Sequence, residues 1–179
     1  TVVTTVNQCF FTGKMKVNKS KWVHHNRIGY LFPNHSSFHV NNQLQSGSWK
    51  AINQSGSPQI LSDTLFNLWI DHGTYVRNGN YSYIVVPDCN SAQFRSFVRN
   101  TPCQIIANPS SIQAISYAGK KIYAVVFYVP GTLKLNKRLT VSSNKACLMY
   151  IEKQEDGFKV WIADPLYTQR TINITLNSE

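Results

Sequence analysis

Thr171-Ile172-Asn173-Ile174-Thr175-Leu176 alternates polar and apolar side chains with a period of two. Successive side chains of a strand point to opposite faces, so the stretch reads as a strand with one wet face and one packed face. Just before it, Phe158, Val160 and Ile162 alternate with Lys159 in the same way. Ile122–Val129 is apolar throughout and reads as a central strand packed on both sides. Asp63–Asp71 (DTLFNLWID) and Tyr81–Val86 (YSYIVV) read as two more strands, joined by a loop that ends in an Asn78-Gly79 turn signal. Further turn signals recur at Thr12-Gly13, Pro33-Asn34, Ser46-Gly47, Ser55–Pro58, Ala118-Gly119, Pro130-Gly131 and Asp156-Gly157. Many short strands with regular turns predict an all-β chain built as a sandwich or barrel. One helix is expected, over Ser91–Arg99, where Phe94, Phe97 and Val98 share a face. Pro87-Asp88 before it is read as ending a strand and capping that helix. With Asn100-Thr101-Pro102 after it, this region is the expected boundary between residues 1–100 and residues 101–179.

Composition bounds the answer further. Of 179 residues, 42% are hydrophobic and only 15% charged, which excludes a disordered chain. The longest apolar run, Tyr123–Pro130, is far too short to span a bilayer as a helix, and no heptad pattern is sustained. Lys and Arg total 18 against 8 Asp and Glu, a net charge of +10, which favours polyanionic partners. The basic residues are scattered, and the densest stretch is Lys14, Lys16, Lys19, Lys21 and Arg27. A nucleic-acid-binding barrel needs basic residues interleaved with aromatics on one sheet face, and that alternation is not visible. Neither nucleic acid nor a membrane is expected as a partner. The chain opens at Thr1 directly into a strand-like run, Val2–Val6, which reads as a piece excised from a longer polypeptide.

Signals for catalysis are thin. Asp71-His72 is the one tight Asp/His pair, but neighbours on a strand point apart. No G-x-S-x-G elbow is present. Asp63, Asp71, Asp88 and Asp164 fall at expected strand ends or turns, where carboxylates usually cap. The histidines are His24, His25, His35, His39 and His72. They lack HxH spacing, and Pro33, Asn34, Ser36 and Ser37 argue against the helix that would align His35 with His39. No catalytic residue, metal ligand or cofactor motif is assigned. Cys9, Cys89, Cys103 and Cys147 show no CxxC spacing, and free thiols and bridges stay equally open. Sequons at Asn18, Asn34, Asn53, Asn80 and Asn173 matter only in a eukaryotic secretory host. The richest local stretch is Trp22–Tyr30 (WVHHNRIGY), a short hairpin turning near Asn26. Trp22, His24, His25 and Arg27 are the expected substrate-binding residues: an aromatic ring stacks on a sugar and Arg binds a carboxylate with two hydrogen bonds. The plainer reading has Trp22, Ile28 and Tyr30 packing inward.

Four stretches in order resemble polysaccharide lyase family 8, the bacterial lyases of hyaluronan, chondroitin sulfates and xanthan. They are Thr4–Cys9 (TTVNQC), Trp22–Pro33 (WVHHNRIGYLFP), Leu68–Pro87 (LWIDHGTYVRNGNYSYIVVP) and Ala163–Thr168 (ADPLYT). The third is the most specific, and chondroitin lyases look closest. Leu166-Tyr167 departs from the family's usual DPTQ. The resemblance implies a helical toroid, a large antiparallel β-sandwich and a small C-terminal β-sandwich. This chain corresponds to the C-terminal part of the large sandwich, over residues 1–100, and the small sandwich, over residues 101–179. The family cleaves the bond to a uronic acid by β-elimination, with an Asn that neutralises the carboxylate and a His and a Tyr that move protons. All of these lie in regions upstream of Thr1, so the resemblance carries over no catalytic residue. It implies a non-catalytic sandwich portion of a secreted or periplasmic lyase that braces an upstream helical catalytic domain of the same polypeptide and lines its cleft. The expected substrate partner is an acidic polysaccharide, chondroitin sulfate or hyaluronan. The main rival is a stand-alone carbohydrate-binding or adhesion β-sandwich.

Overall fold

The computed structural model describes residues 4–6, 9–18, 21–34, 37–168 and 171–178; Val2, Val3, Lys19 and His35, singled out above, lie outside them. The chain divides into two compact units, Thr1–Arg99 and Asn100–Glu179. Among the described residues all strand pairings are antiparallel.

In the first unit the elements are β1 (Thr4–Val6), β2 (Cys9–Phe11), β3 (Gly13–Val17), β4 (Trp22–His25), β5 (Ile28–Leu31), β6 (Phe38–Gly47), β7 (Leu61–Trp69), β8 (Ile84–Val86) and α1 (Ser91–Arg99). One sheet has the order β2-β1-β4-β5-β8 and the other β3-β6-β7. Val6 and Val23 from the first sheet and Val17, Phe38 and Val40 from the second form the core between them, with Phe66 and Leu68 packed on. The opposite face of the first sheet carries α1, through Trp22, Leu31, Cys89 and the fully buried Phe94. Burying a Phe completely is worth about 1.5–3 kcal/mol, which makes Phe94 the main anchor of so short a helix. Phe94 packs where β5 has no side chain: a Cβ on Gly29 would lie 2.2 Å from its ring.

The helix is capped by Asn90, not by Asp88. Asn90 Oδ1 accepts from the Gln93 amide at 2.9 Å, and Gln93 Oε1 accepts from the Asn90 amide at 2.8 Å. This reciprocal capping box satisfies two amides that the helix leaves without intrahelical partners. Asp88 serves the hairpin instead. The β4–β5 turn is two residues long, Asn26 and Arg27, both at positive φ (45° and 66°), the conformation a tight hairpin requires. Arg27 is held there by a side-chain ion pair to Asp88 and by its carbonyl, which accepts from the Cys89 amide at 2.9 Å.

The second unit contains β9 (Cys103–Ala107), β10 (Ile112–Tyr117), β11 (Ile122–Phe127), β12 (Gly131–Lys134), β13 (Leu139–Ser143), β14 (Cys147–Gln154), β15 (Gly157–Ala163) and β16 (Ile174–Ser178). Sheets of order β15-β14-β11-β10-β9 and β12-β13-β16 pack face to face. Val125, Phe127, Met149 and Ile151 meet Leu139 and Val141 in the core. The expected all-β antiparallel sandwich architecture is what the structure shows.

Three element readings change in detail. β11 sits centrally, but only its Val125–Phe127 face is fully buried; Ala124 and Val126 share an outer face with the partly exposed Ile115, Tyr150 and Trp161. Tyr81–Tyr83 precede rather than join β8, and β16 starts at Ile174 rather than Thr171. Leu166 and Tyr167 form an exposed turn in which Asp164 Oδ1 accepts from the Leu166 amide at 3.1 Å.

Candidate functional site

Strand alternation divides the four residues expected to contact substrate. Trp22 and His24 sit on the α1 side of β4 and are buried. Trp22 packs edge-on against Phe94 at 5.6 Å, and His24 donates from Nε2 to the Cys89 carbonyl at 2.8 Å. His25 turns to the other side, stacked on Phe66 at 4.1 Å between the two sheets. Arg27 projects from the turn to Asp88. Nothing brings these four together around one ligand, because odd and even positions of a strand face opposite ways.

The same hairpin does contribute to a concave site through Tyr30. A cleft of about 470 Å³ opens at the end of the first unit's sandwich. Its floor is the end of the inter-sheet core: Tyr30, Phe32, Phe66, Leu68 and Ile70. Its rim is Trp69, His72, Tyr81 and Tyr83. Tyr81 and Tyr83, two apart in an extended segment, lie nearly parallel with centroids 6.3 Å apart. His72 is 5.7 Å from Tyr81, and Trp69 stacks on His39 at 5.0 Å. The loop before Tyr81 turns at Gly73, whose φ of +74° favours glycine and whose amide donates to Asp71 Oδ1 at 2.8 Å. Asp71 thus serves its own turn and does not orient His72.

The size lies within the range of small-ligand clefts, and the lining is mostly aromatic with a few polar tips. Ring faces suit the C–H faces of a sugar, while phenol, indole and imidazole groups supply hydrogen bonds to its hydroxyls. Burial pushes the Tyr30 phenol above its ordinary range, so it stays protonated and able to donate. Among the described residues no carboxylate lines the cleft. Asp71 and Asp164 cap turns, Asp88 pairs with Arg27, and Asp63 lies within β7, where it accepts from the Thr64 amide. Cys89, Cys103 and Cys147 are free thiols, and burial raises Cys89 and Cys103 above the usual thiol range, which disfavours thiolate chemistry. Among the described residues no group of three or more His, Cys, Asp or Glu is placed to hold a metal ion.

The fold class is two antiparallel β-sandwich units, the first bearing an aromatic cleft, and comparison with known proteins makes it specific. Residues 1–98 match the polysaccharide lyase family 8 super-sandwich domain, and residues 104–173 match that family's C-terminal β-sandwich domain. The chain belongs to polysaccharide lyase family 8. It is 29% identical to a chondroitinase-AC of Pedobacter heparinus, over 98% of this chain and 27% of that protein. It is 26% identical to a xanthan lyase of a Bacillus species, over 77% of this chain and 15% of the relative. A hyaluronate lyase of Enterococcus faecalis is 24% identical over 91% of this chain and 17% of its own length. A solved chondroitinase AC lyase, determined with bound oligosaccharides, superposes with a TM-score of 0.85 at 26% identity, over 98% of this chain and 28% of that one. A Paenibacillus xanthan lyase shares the fold with a TM-score of 0.86, over 96% of this chain and 18% of that one. The chain therefore spans about a quarter or less of these relatives.

Sequence reasoning assigned none of the residues of this cleft: Tyr30 was read as packing inward, and Trp69, His72, Tyr81 and Tyr83 were not seen as a cluster. The available signal was the alternation of Tyr81 and Tyr83 after an Asn-Gly turn, opposite the aromatic end of Asp63–Asp71.

Proposed function

We propose that this chain is the non-catalytic double-sandwich portion of a secreted or periplasmic bacterial lyase of chondroitin sulfate or hyaluronan. In that reaction a base removes the proton beside the uronate carboxylate, the glycosidic oxygen leaves, and an unsaturated sugar remains. The sandwiches brace an upstream helical catalytic domain and line one side of its cleft. The observation that carries the reading is the pair of family matches, one per unit, to domains of chondroitinase-like lyases. The charge of +10 supports it, since a positive field concentrates a polyanion. The aromatic cleft supports a sugar contact within the first unit.

β-Elimination requires a neutralised carboxylate and a base in hydrogen-bond reach of the proton. Among the described residues the cleft is lined by His72 and Tyr30 but by no Asn or Arg. The test is to incubate the chain, and separately its parent polypeptide, with chondroitin sulfate and hyaluronan and to follow ultraviolet absorbance of the unsaturated product. The expected result is turnover by the parent and none by the chain. Turnover by the chain that His72→Ala or Tyr30→Phe abolishes would overturn the non-catalytic reading. The exposed rings of Trp69, Tyr81 and Tyr83 also favour a stand-alone carbohydrate-binding module. Saccharide binding with a parent reading frame that lacks any long helical region would decide for it.

A further inference from the structure

The three-stranded sheet β3-β6-β7 has two unlike faces. Met15, Val17, Phe38, Val40, Phe66 and Leu68 look into the sandwich. Register places the alternate residues on the outer face in two cross-strand rows. One row is Lys16, His39 and Trp69, and the other is Lys14, Asn41 and Asn67. Each row thus runs from a cation on β3 through a polar group on β6 to β7.

On the central strand, His39 Nε2 and Asn41 Oδ1 are buried and have no hydrogen-bond partner. Asn41 as a residue is only 8% exposed. Buried polar atoms are nearly always paired, so two orphans side by side need a cause. Lys14 and Lys16 are exposed, and among the described residues the ion pair formed is Arg27–Asp88, which leaves both lysines without a carboxylate. Lysines on an edge strand commonly guard it against pairing with another chain. That role accounts for Lys14 and Lys16 but not for the unpartnered amide and imidazole on the strand between the edges.

We propose that this outer face is a subsite for an acidic saccharide. Lys14 and Lys16 hold the uronate carboxylate, while the sugar ring lies over His39, Asn41 and Asn67 with Trp69 closing one end. The residue types fit that ligand: two cations at alternate positions for a carboxylate, amides for ring hydroxyls, and an indole for a C–H face. The terminal torsion of Asn is broad, so a turn of Asn41 brings its orphaned oxygen to a ligand hydroxyl, while His39 keeps its stack on Trp69. The inference rests on the acidic-polysaccharide reading above and adds to it a face distinct from the floor of the aromatic cleft.

The test titrates the full 179-residue chain with a hyaluronan octasaccharide at low salt, reading side-chain NMR signals and affinity. The His39 imidazole and the Asn41 and Asn67 amide signals should shift. The pair Lys14→Gln/Lys16→Gln should weaken binding roughly fivefold to tenfold, the sum of two modest charge contacts, while Lys134→Gln/Lys137→Gln, with the same charge change in the second unit, should cost about twofold or less. Carboxyl-reduced hyaluronan should leave the His39 signal in place. Equal losses from the two lysine pairs, or unmoved His39 and Asn41 signals, would overturn the proposal in favour of diffuse attraction. Loss of binding in Tyr81→Ala/Tyr83→Ala without loss in the Lys14/Lys16 pair would overturn it and leave the cleft as the saccharide site. A dimer in sedimentation that the Lys14/Lys16 pair disrupts would assign the face to a second copy and likewise overturn it. Absence of any binding overturns the subsite, whereas the lyase reading is judged on the parent polypeptide's turnover.

Discussion

Thr4 Oγ1 lies 2.7 Å from Nδ1 of His25, its register partner on the neighbouring strand. Asn42 Nδ2 donates to the same oxygen at 2.9 Å from the facing sheet. With that donor in place, the Thr4 hydroxyl keeps its proton free to donate to Nδ1 of a neutral His25 ring. Burial, and next the nearby charge of His24, lowers the His25 pKa below the ordinary imidazole value of about 6.5. Three strands in two sheets are joined through one hydroxyl.

The sign of the pH dependence follows. Below pH 6.5 the unfolded imidazole takes up a proton that the folded one resists, so the unfolded state binds more protons and stability falls with acidification. The contribution is fully present above that pH and is lost as the pH drops through the window below it. Urea denaturation at pH 8 and pH 5.5 should show the loss. His25→Phe, which keeps the stack on Phe66 but cannot titrate, should flatten the slope. An unchanged slope in the variant would place the sensitivity elsewhere.

Gly29→Ala should destabilise the first unit by about 1–3 kcal/mol, because the new methyl meets the Phe94 ring and a packed layer does not yield freely. Combined with Phe94→Leu, the loss from the alanine should shrink, since the two changes share one space. Thermal unfolding of the four proteins of this cycle measures the coupling. Strict additivity would contradict the packing described.

Asn90→Ala should cost about 1 kcal/mol through loss of the capping box, whereas Asp88→Asn, which removes the charge but tolerates the positive φ there (51°), should change stability by about 0.5 kcal/mol or less, because the ion pair is exposed. Denaturant midpoints compare the two directly. The reverse ranking would return the cap to Asp88.

Trp49, Ile52, Leu61 and Leu65 line a single depression on the β6–β7 hairpin and are all exposed. An apolar surface of this kind on an edge hairpin promotes association. The free chain should therefore sediment as concentration-dependent oligomers. Trp49→Ser/Ile52→Ser should shift it toward monomer. A monomer at every concentration would show that the patch is too small to drive self-association.

The all-β architecture was legible because Thr171–Leu176 and Phe158–Ile162 carry their period openly, and the helix was legible because Phe94, Phe97 and Val98 fall on one face. The cap was misread because Asp88 and Asn90 are both good capping types; only the Gln93 partner three residues on distinguishes Asn90. The candidate site was legible in part. The hairpin that supplies Tyr30 was singled out, but Tyr30 itself was read as core, and Trp22, His24, His25 and Arg27 were grouped by proximity in sequence, which a strand converts into separation in space. The cleft and the β3-β6-β7 rows depend on register between strands far apart in the chain. Lys16, His39 and Trp69 become neighbours only when β3, β6 and β7 are aligned, and no local pattern states that alignment.

The split between His24 and His25 gives the first unit two internal probes. One imidazole is lodged in the layer between the sheet and α1, bonded to the Cys89 carbonyl; the other is lodged between the two sheets, bonded to Thr4. Their ring resonances come from adjacent residues yet report on different interfaces. Release of α1 alone would disturb the His24 signal and spare His25, and parting of the sheets would do the opposite. A denaturant series followed through both would reveal whether the two layers come apart in one step or in sequence.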